Sequence, residues 1–363
     1  MIISVAVCRE YGKSLQIESV DLEEPRADEI RVRIVAAGIC QTDISMINTP
    51  QRVPLPIVLG HEGAGVVERV GELVTDLEPG DHVVLSFGYC GHCPSCVQGL
   101  PYHCPQMHML NFGGSRLDGT SPISQKGGTI YGMFFTQSSF ATHAIAPARS
   151  AVKVPKDIGL ELLAPLGCGV QTGAGTVLNI FQAPIGSNIA VFGSGPVGLS
   201  AVMAAKVAGC KEIIAIDLLE SRLELACELG ATHGINPEME NVVDRIKDIT
   251  GGGVDFAFDN TGVGEVIEEA FTCLKQRGQC AIAAGFGVDL KLSAFDILLG
   301  KKIEGVTEGE SVPRVFIPQL IELYRQGRFP FDRLLTFYDF KDINKAIEAS
   351  KSGEVVKPVL KFE

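Results

Sequence analysis

From about Val170 the chain repeats one pattern: an apolar strand, a glycine-marked turn, then a helix. A chain written this way builds a parallel sheet with helices on both faces. The apolar run Asn188-Ile189-Ala190-Val191-Phe192 meets Gly193-Ser194-Gly195-Pro196-Val197-Gly198, and a helical pattern runs on to about Ala208 before Gly209 stops it. Glu212–Asp217 reads as a second strand, followed by a helix from about Glu220 to Leu229 that ends at Gly230, a suitable left-handed stop. Further strands are expected at Val254–Phe258 and Gln279–Ala284, with helices at about Asn241–Ile249 and Gly264–Leu274. An amphipathic helix near Val315–Arg325 and a strand at Pro358–Phe362 complete the pattern.

In its setting between strand and helix, the glycine turn has a mechanical reading. Gly193 permits the tight turn, Gly195 lets the backbone approach a pyrophosphate, and Gly198 lets the helix pack close; Pro196 and Val197 open the helix whose N-terminus faces the phosphates. Asp217, at the end of the second strand, would hydrogen-bond an adenosine ribose and repel a 2′-phosphate, which favours NAD over NADP. Its plainer alternative is a cap on the next helix. Arg222 could touch the same ribose or tolerate a phosphate.

The first third of the chain alternates apolar and polar residues in short runs broken by Gly and Pro, such as Arg31–Val35, Gly65–Val70 and Asp81–Leu85, and reads as a mostly antiparallel β domain. Between about Cys90 and Tyr131 the periodicity fades into a stretch too long for an ordinary loop unless something fixes it. That stretch opens with Cys90, Cys93, Cys96 and Cys104, whose short gaps let four thiolates converge on one ion. An iron–sulfur cluster competes, since such cysteine runs also occur in ferredoxins; the longer last gap favours zinc. With all four positions filled by sulfur, this metal would be a staple and not a catalyst.

Three further residues are quieter: Cys40 in Gly38-Ile39-Cys40-Gln41-Thr42-Asp43, His61 in Gly60-His61-Glu62-Gly63, and Cys168 in Gly167-Cys168-Gly169. Each alone is more often a packed core residue than a ligand. Together, two cysteines and a histidine form a catalytic zinc set with a fourth position open.

Composition narrows the field. A length of 363 residues favours two domains. With 46% hydrophobic and 20% charged residues the chain has the balance of a globular enzyme. A net charge of −12 argues against nucleic acid as partner. No apolar stretch is long enough to span a membrane, and the N-terminus lacks a signal-peptide layout. Eleven cysteines, an odd number, fit the reducing cytosol, where clustered thiols bind metal.

The Cys-x-Thr-Asp run, the Gly-His-Glu-Gly run, the four-cysteine lobe, the later cysteine and the glycine turn stand in one order. Over essentially the whole chain this resembles the zinc-dependent medium-chain alcohol dehydrogenases. Glu308-Gly309-Glu310-Ser311-Val312-Pro313 and Tyr324–Pro330 are most similar to the aryl-alcohol branch. The resemblance implies a Rossmann NAD-binding domain at 170–305 and a mostly β GroES-like catalytic domain made of 1–169 and 306–363. It implies two zinc ions per chain, one on Cys40, His61 and Cys168, and one on Cys90, Cys93, Cys96 and Cys104. Glu62 would stand behind the catalytic zinc as an occasional ligand, and Asp43 would orient His61. Thr42 would bond the alcohol oxygen, Thr172 would touch the nicotinamide, and Lys357 would contact the coenzyme pyrophosphate or else be an ordinary surface lysine.

Two departures stand out. Ser45 occupies the place where many relatives carry a relay histidine, so the alcohol proton would leave from Thr42 through the nicotinamide ribose and water. Gln41 replaces a frequent cation, so coenzyme affinity is expected to be moderate. Phe87, and with less weight Phe134 and Phe135, are candidate apolar walls suited to benzylic or allylic alcohols, with core packing the alternative for the latter two. The expected reaction is reversible hydride transfer from a primary alcohol to NAD, in a homo-oligomer, dimer or tetramer. Glutathione-dependent formaldehyde dehydrogenases and broad aliphatic alcohol dehydrogenases share the ligand set. Polyol dehydrogenases usually carry Glu where Cys168 stands, and a non-catalytic NAD-binding thiol sensor is the reading from outside enzymology.

Overall fold

The structure, a computed structural model, describes every residue from Met1 to Glu363. It divides into two units, Met1–Cys168 with Val312–Gln319 and Asp332–Glu363, and Gly169–Ser311 with Leu320–Phe331.

In the first unit, the strand Glu29–Gly38 is the spine of a seven-stranded sheet. Antiparallel to it lie Glu62–Val70 on one side and Lys357–Lys361 on the other, so residues near the end of the chain complete a sheet begun near its start. The expected alternation along Glu29–Gly38 is muted, because nearly every residue is buried. Arg31 pairs there with Glu24 at 3.1 Å and Glu68 at 3.4 Å. A second, five-stranded sheet carries Ile2–Cys8 and Gln16–Leu22 in register from Ile2↔Asp21 to Val7↔Gln16.

The segment after the four cysteines holds more structure than its sequence suggests. Ile123–Gln125 and Gly128–Ile130 form a hairpin. Its turn residues Lys126 (φ 50°) and Gly127 (φ 78°) are both left-handed, the geometry that matches strand twist. Arg116 ties the segment down: its guanidinium grips Glu29 at 2.6 and 2.9 Å, and both residues are buried.

The second unit is a six-stranded, all-parallel sheet in the order His233–Ile235, Glu212–Ile216, Asn188–Phe192, Val254–Asp259, Leu274–Ile282, Lys302–Gly305. Strand order reverses between Asn188–Phe192 and Val254–Asp259, the switch point at which doubly wound sheets bind ligands. The helix Pro196–Ala208 ends at Gly209 (φ 82°) and Glu220–Leu229 ends at Gly230. Asn241 caps Val242–Thr250 by accepting from Asp244 N at 2.9 Å. Leu274–Ile282 starts earlier than expected, because Leu274 already pairs with Val254 ahead of a register shift. Residues 320–331, read from the sequence with the catalytic domain, group here; Arg328 donates to Val207 O at 3.3 Å, at the end of Pro196–Ala208.

Candidate active site

The strand pairing that aligns Gly38 with Glu62 also draws together the residue just beyond the first strand's end and the residue just before the second strand's start. Cys40 caps the helix Gln41–Asn48, and His61 immediately precedes Glu62–Val70. Cys168 joins them across the strand His82–Leu85, where Ser86 Oγ donates to Gly167 O at 2.7 Å. A side chain at Gly167 would lie 2.3 Å from Leu85 O, so this approach needs glycine. The ligand atoms of Cys40, His61, Glu62 and Cys168 all lie within 4.8 Å of one another.

Asp43 organises the cluster. One carboxylate oxygen accepts from Cys40 N at 3.0 Å; the other accepts from Gly60 N and from His61 Nδ1, each at 3.0 Å. His61 Nδ1 therefore donates to Asp43, and Nε2, buried and without a hydrogen-bond partner in the protein, faces the cluster. Burial opposes charge on His61, yet Asp43 and Cys40 outweigh it and hold its pKa well above the usual histidine range. Hydrogen bonding with Cys168, against the cost of burial, holds the Cys40 thiol well below its ordinary value, with His61 adding to the effect. Both directions describe a site with surplus negative charge, in which a proton on His61 stands where a cation would. Two thiolates, an imidazole and a hard carboxylate within reach fit zinc.

Lys357 corrects the surface-lysine alternative. It is 1% exposed; its ammonium lies 2.5 Å from Glu62 Oε2 and donates to Ile39 O at 3.0 Å. Glu62 needs the room: a side chain at Gly38 would come within 2.0 Å of Glu62 Oε2. Phe134 and Phe135 are not merely core. The Phe135 ring stacks on His61 at 4.4 Å, Phe134 meets it edge-on at 5.6 Å, and Phe112 packs on Phe135 at 5.3 Å. Phe87 is fully buried beside Tyr89 at 6.0 Å. Thr42 Oγ1 sits 3.8 Å from Cys40 Sγ, Ser45 lies on the same helix, and Gln41 is exposed.

The four-cysteine lobe closes on itself. Cys90, Cys93, Cys96 and Cys104 place their sulfurs within 4.8 Å of one another. Cys90 N donates to Cys104 Sγ and Cys93 N to Cys90 Sγ, both at 3.4 Å, the kind of N–H···S bonding that favours thiolate. Against burial, backbone N–H groups of His92 and Cys93 bring the Cys90 thiol down to about 6.

In the second unit the glycine turn is anchored at each step. Gly193 (φ 89°) donates to Ile216 O at 2.8 Å and Ser194 N to Asp217 Oδ2 at 2.7 Å. A side chain at Gly198 would lie 1.8 Å from Gly193 O, so helix and strand could not close up around it. Gly195 differs: a side chain there would meet no protein atom within 4 Å, so the chain itself does not require glycine, whereas a ligand lying over the backbone would. Pro196 and Val197 open the helix. Asp217 also accepts from Leu219 N at 3.0 Å, which fixes its carboxylate at the strand end. Arg222 is buried, and desolvation holds its pKa below the usual arginine value although Asp217 opposes this. Thr172 lies on Gly169–Gly175. Sequence reasoning missed Asn260, which donates to Phe192 O at 2.7 Å and Gly193 O at 2.8 Å and so braces the turn from across the switch point. It missed Gln137 as well, which belongs to no motif.

Residues 26–156 match the alcohol dehydrogenase GroES-like domain and residues 196–325 the zinc-binding dehydrogenase family. The geraniol dehydrogenase of Castellaniella defragrans is 46% identical over 362 residues, which cover 98% of this chain and 97% of that one. The chain belongs to the zinc-dependent medium-chain alcohol dehydrogenases. The crystal structure of benzyl alcohol dehydrogenase from Acinetobacter calcoaceticus superposes on this dehydrogenase with a TM-score of 0.97 at 44% identity, over 100% of both chains. The S-(hydroxymethyl)glutathione dehydrogenase of Paracoccus denitrificans is 35% identical over 370 residues, covering 98% of this dehydrogenase and 99% of that enzyme.

Proposed function

We propose that this enzyme oxidises primary benzylic or allylic alcohols reversibly to aldehydes with NAD, using zinc held by Cys40, His61 and Cys168. The observation that carries the reading is the unpartnered Nε2 of His61, aimed into two cysteine sulfurs and walled by Phe134 and Phe135. Zinc, when bound, polarises the alcohol oxygen, and the nicotinamide accepts the hydride. The chain does the rest. Asp43 holds His61 in one tautomer and one orientation. Thr42 is the hydroxyl that hands on the alcohol proton, which leaves through the nicotinamide ribose and water, since Ser45 is a poor base. Asp217 accepts from a ribose, while Gly195, Val197 and Gly198 bring backbone N–H groups to a pyrophosphate. Lys357 pairs with Glu62 and donates to Ile39 O, opposing the larger effect of burial, which raises the Glu62 pKa.

Relatives acting on geraniol and benzyl alcohol support an unsaturated substrate, and the aromatic ring around His61 suits one. All eleven cysteines are free. The deciding experiment is coenzyme reduction by protein of measured zinc content, with NAD and NADP, across aliphatic, benzylic, allylic and polyol alcohols. The expected result is a kcat/KM at least tenfold higher for benzylic or allylic alcohols than for ethanol, with NAD preferred. A flat response would reject the substrate class, and activity appearing only on adding glutathione with formaldehyde would transfer the enzyme to the other branch.

A further inference from the structure

The segment Phe135–Ser138 is buried, yet Phe135 (φ 49°), Thr136 (φ 56°) and Ser138 (φ 48°) all adopt the left-handed conformation that side chains disfavour. Strain of this kind persists only where surrounding structure enforces it, and it marks places where geometry serves a purpose. Here the segment lies along Gly60-His61-Glu62-Gly63. Ser139 N donates to Gly60 O at 2.9 Å, Phe140 N donates to Leu59 O at 3.0 Å, and Gly63 N donates to Gln137 Oε1 at 3.0 Å. The two glycines flanking the histidine exist for this contact. A side chain at Gly60 would strike Phe140 N at 2.5 Å, and one at Gly63 would strike the Ser139 side chain at 2.7 Å and Gln137 Oε1 at 3.0 Å.

Gln137 is the centre of the arrangement. It is 1% exposed, and while its oxygen accepts from Gly63, its Nε2 donates to His61 O at 2.9 Å and more weakly to Ser86 O at 3.4 Å. One amide thus bridges the main chain on either side of Glu62 and ties it to the end of the strand His82–Leu85, on the path to Cys168. The same left-handed turn lays Phe135 on the imidazole face. His61 is consequently fixed at its ring nitrogen by Asp43, at its ring face by Phe135, and at its carbonyl by Gln137.

We infer that Gln137 is a positioning residue for the catalytic metal: by clamping the backbone of Gly60–Gly63 it holds His61 Nε2 in register with Cys40 and Cys168, and so sets how tightly that site retains its ion. The inference rests on the proposed zinc site. Groups that orient a ligand without touching the metal change affinity by about 10–100-fold when removed. Ala at this position removes the whole clamp, and Glu keeps its volume and the acceptor for Gly63 N while losing the donor to His61 O.

The test monitors zinc release from the holoenzyme to a coloured chelator, with the phase lost in Cys40→Ser assigned to the catalytic site. Gln137→Ala and Gln137→Glu are expected to speed that phase about tenfold or more, to leave the four-cysteine phase unchanged, and to shift the visible bands of the cobalt-substituted enzyme. Unchanged release and unchanged bands in both variants would overturn the inference. So would equal acceleration of both phases with a lowered unfolding midpoint, which is general destabilisation. If the wild type has no phase that Cys40→Ser removes, the zinc reading fails first and the inference falls with it.

Discussion

Lys357 and Glu62 form an ion pair at 2.5 Å in which neither side chain is more than 1% exposed. Burial disfavours the ammonium, but Glu62, with Cys40 adding to it, keeps its pKa above the normal lysine value. Removing one partner of such a pair strands a charge in the core, whereas neutralising both does not. Lys357→Met is expected to lower stability by about 3–5 kcal/mol, and the double variant Lys357→Met with Glu62→Gln to recover most of it. Urea unfolding of the metal-loaded proteins measures both; a single variant as stable as the double one would contradict this account.

Coenzyme choice is expected to turn on Asp217, whose oxygens are already oriented by Ser194 N and Leu219 N. Asp217→Ser removes the ribose acceptor and the charge that repels a 2′-phosphate. The ratio of kcat/KM for NAD to that for NADP should fall by about two orders of magnitude, equivalent to roughly 2.7 kcal/mol. Initial rates with both coenzymes test it, and an unchanged ratio would move discrimination elsewhere.

The lobe makes a separable prediction. Cys104 supplies a ligand atom and also receives a hydrogen bond from Cys90 N, so Cys104→Ser weakens the site twice over. The variant should carry about one zinc fewer per chain than the wild type and be cut by protease near the cysteines, where a metal would fasten the lobe. Elemental analysis with limited proteolysis decides; full metal content and wild-type resistance would show the lobe holds without its fourth thiolate.

Stability should decline in mild acid for a reason outside either metal site. Burial lowers the pKa of His143 below the ordinary histidine value of 6.5, and Glu68, 3.5 Å from Nε2, offsets this only in part while Arg31 and Arg33 add to it. The unfolded chain therefore takes up the proton first. The contribution of neutral His143 is complete above 6.5 and is lost as pH falls through the lower folded value. Melting temperatures between pH 7 and 5 should drop less in His143→Gln than in the wild type, and parallel curves would exclude the residue.

Legibility in the sequence divides along the range of the interactions. The strand Asn188–Phe192 and the helix Glu220–Leu229 lie where local pattern puts them, because apolar period and glycine stops are properties of neighbouring residues. The hairpin at Ile123–Ile130 leaves no such trace, its strands being three residues each and too short to show a period. Cys40, His61 and Cys168 are visible as ligand types in motifs, and the sheet does bring them together. Gln137 and Asn260 are not visible, since an amide that braces backbone carbonyls obeys no spacing rule. Lys357 can be aligned with a basic position but not assigned a partner, because Glu62 is a neighbour only after Lys357–Lys361 has joined Glu29–Gly38.

Biosynthesis makes that last pairing a late event. The carbonyl of Ile39 must wait for a lysine 318 positions further along, and the carboxylate of Glu62 waits almost as long. At ordinary rates of translation that is an interval on the order of tens of seconds. Cys40, His61 and later Cys168 are synthesised well before that lysine. A chain still lacking its last strand therefore holds Glu62 without the Lys357 ammonium that faces it in the fold.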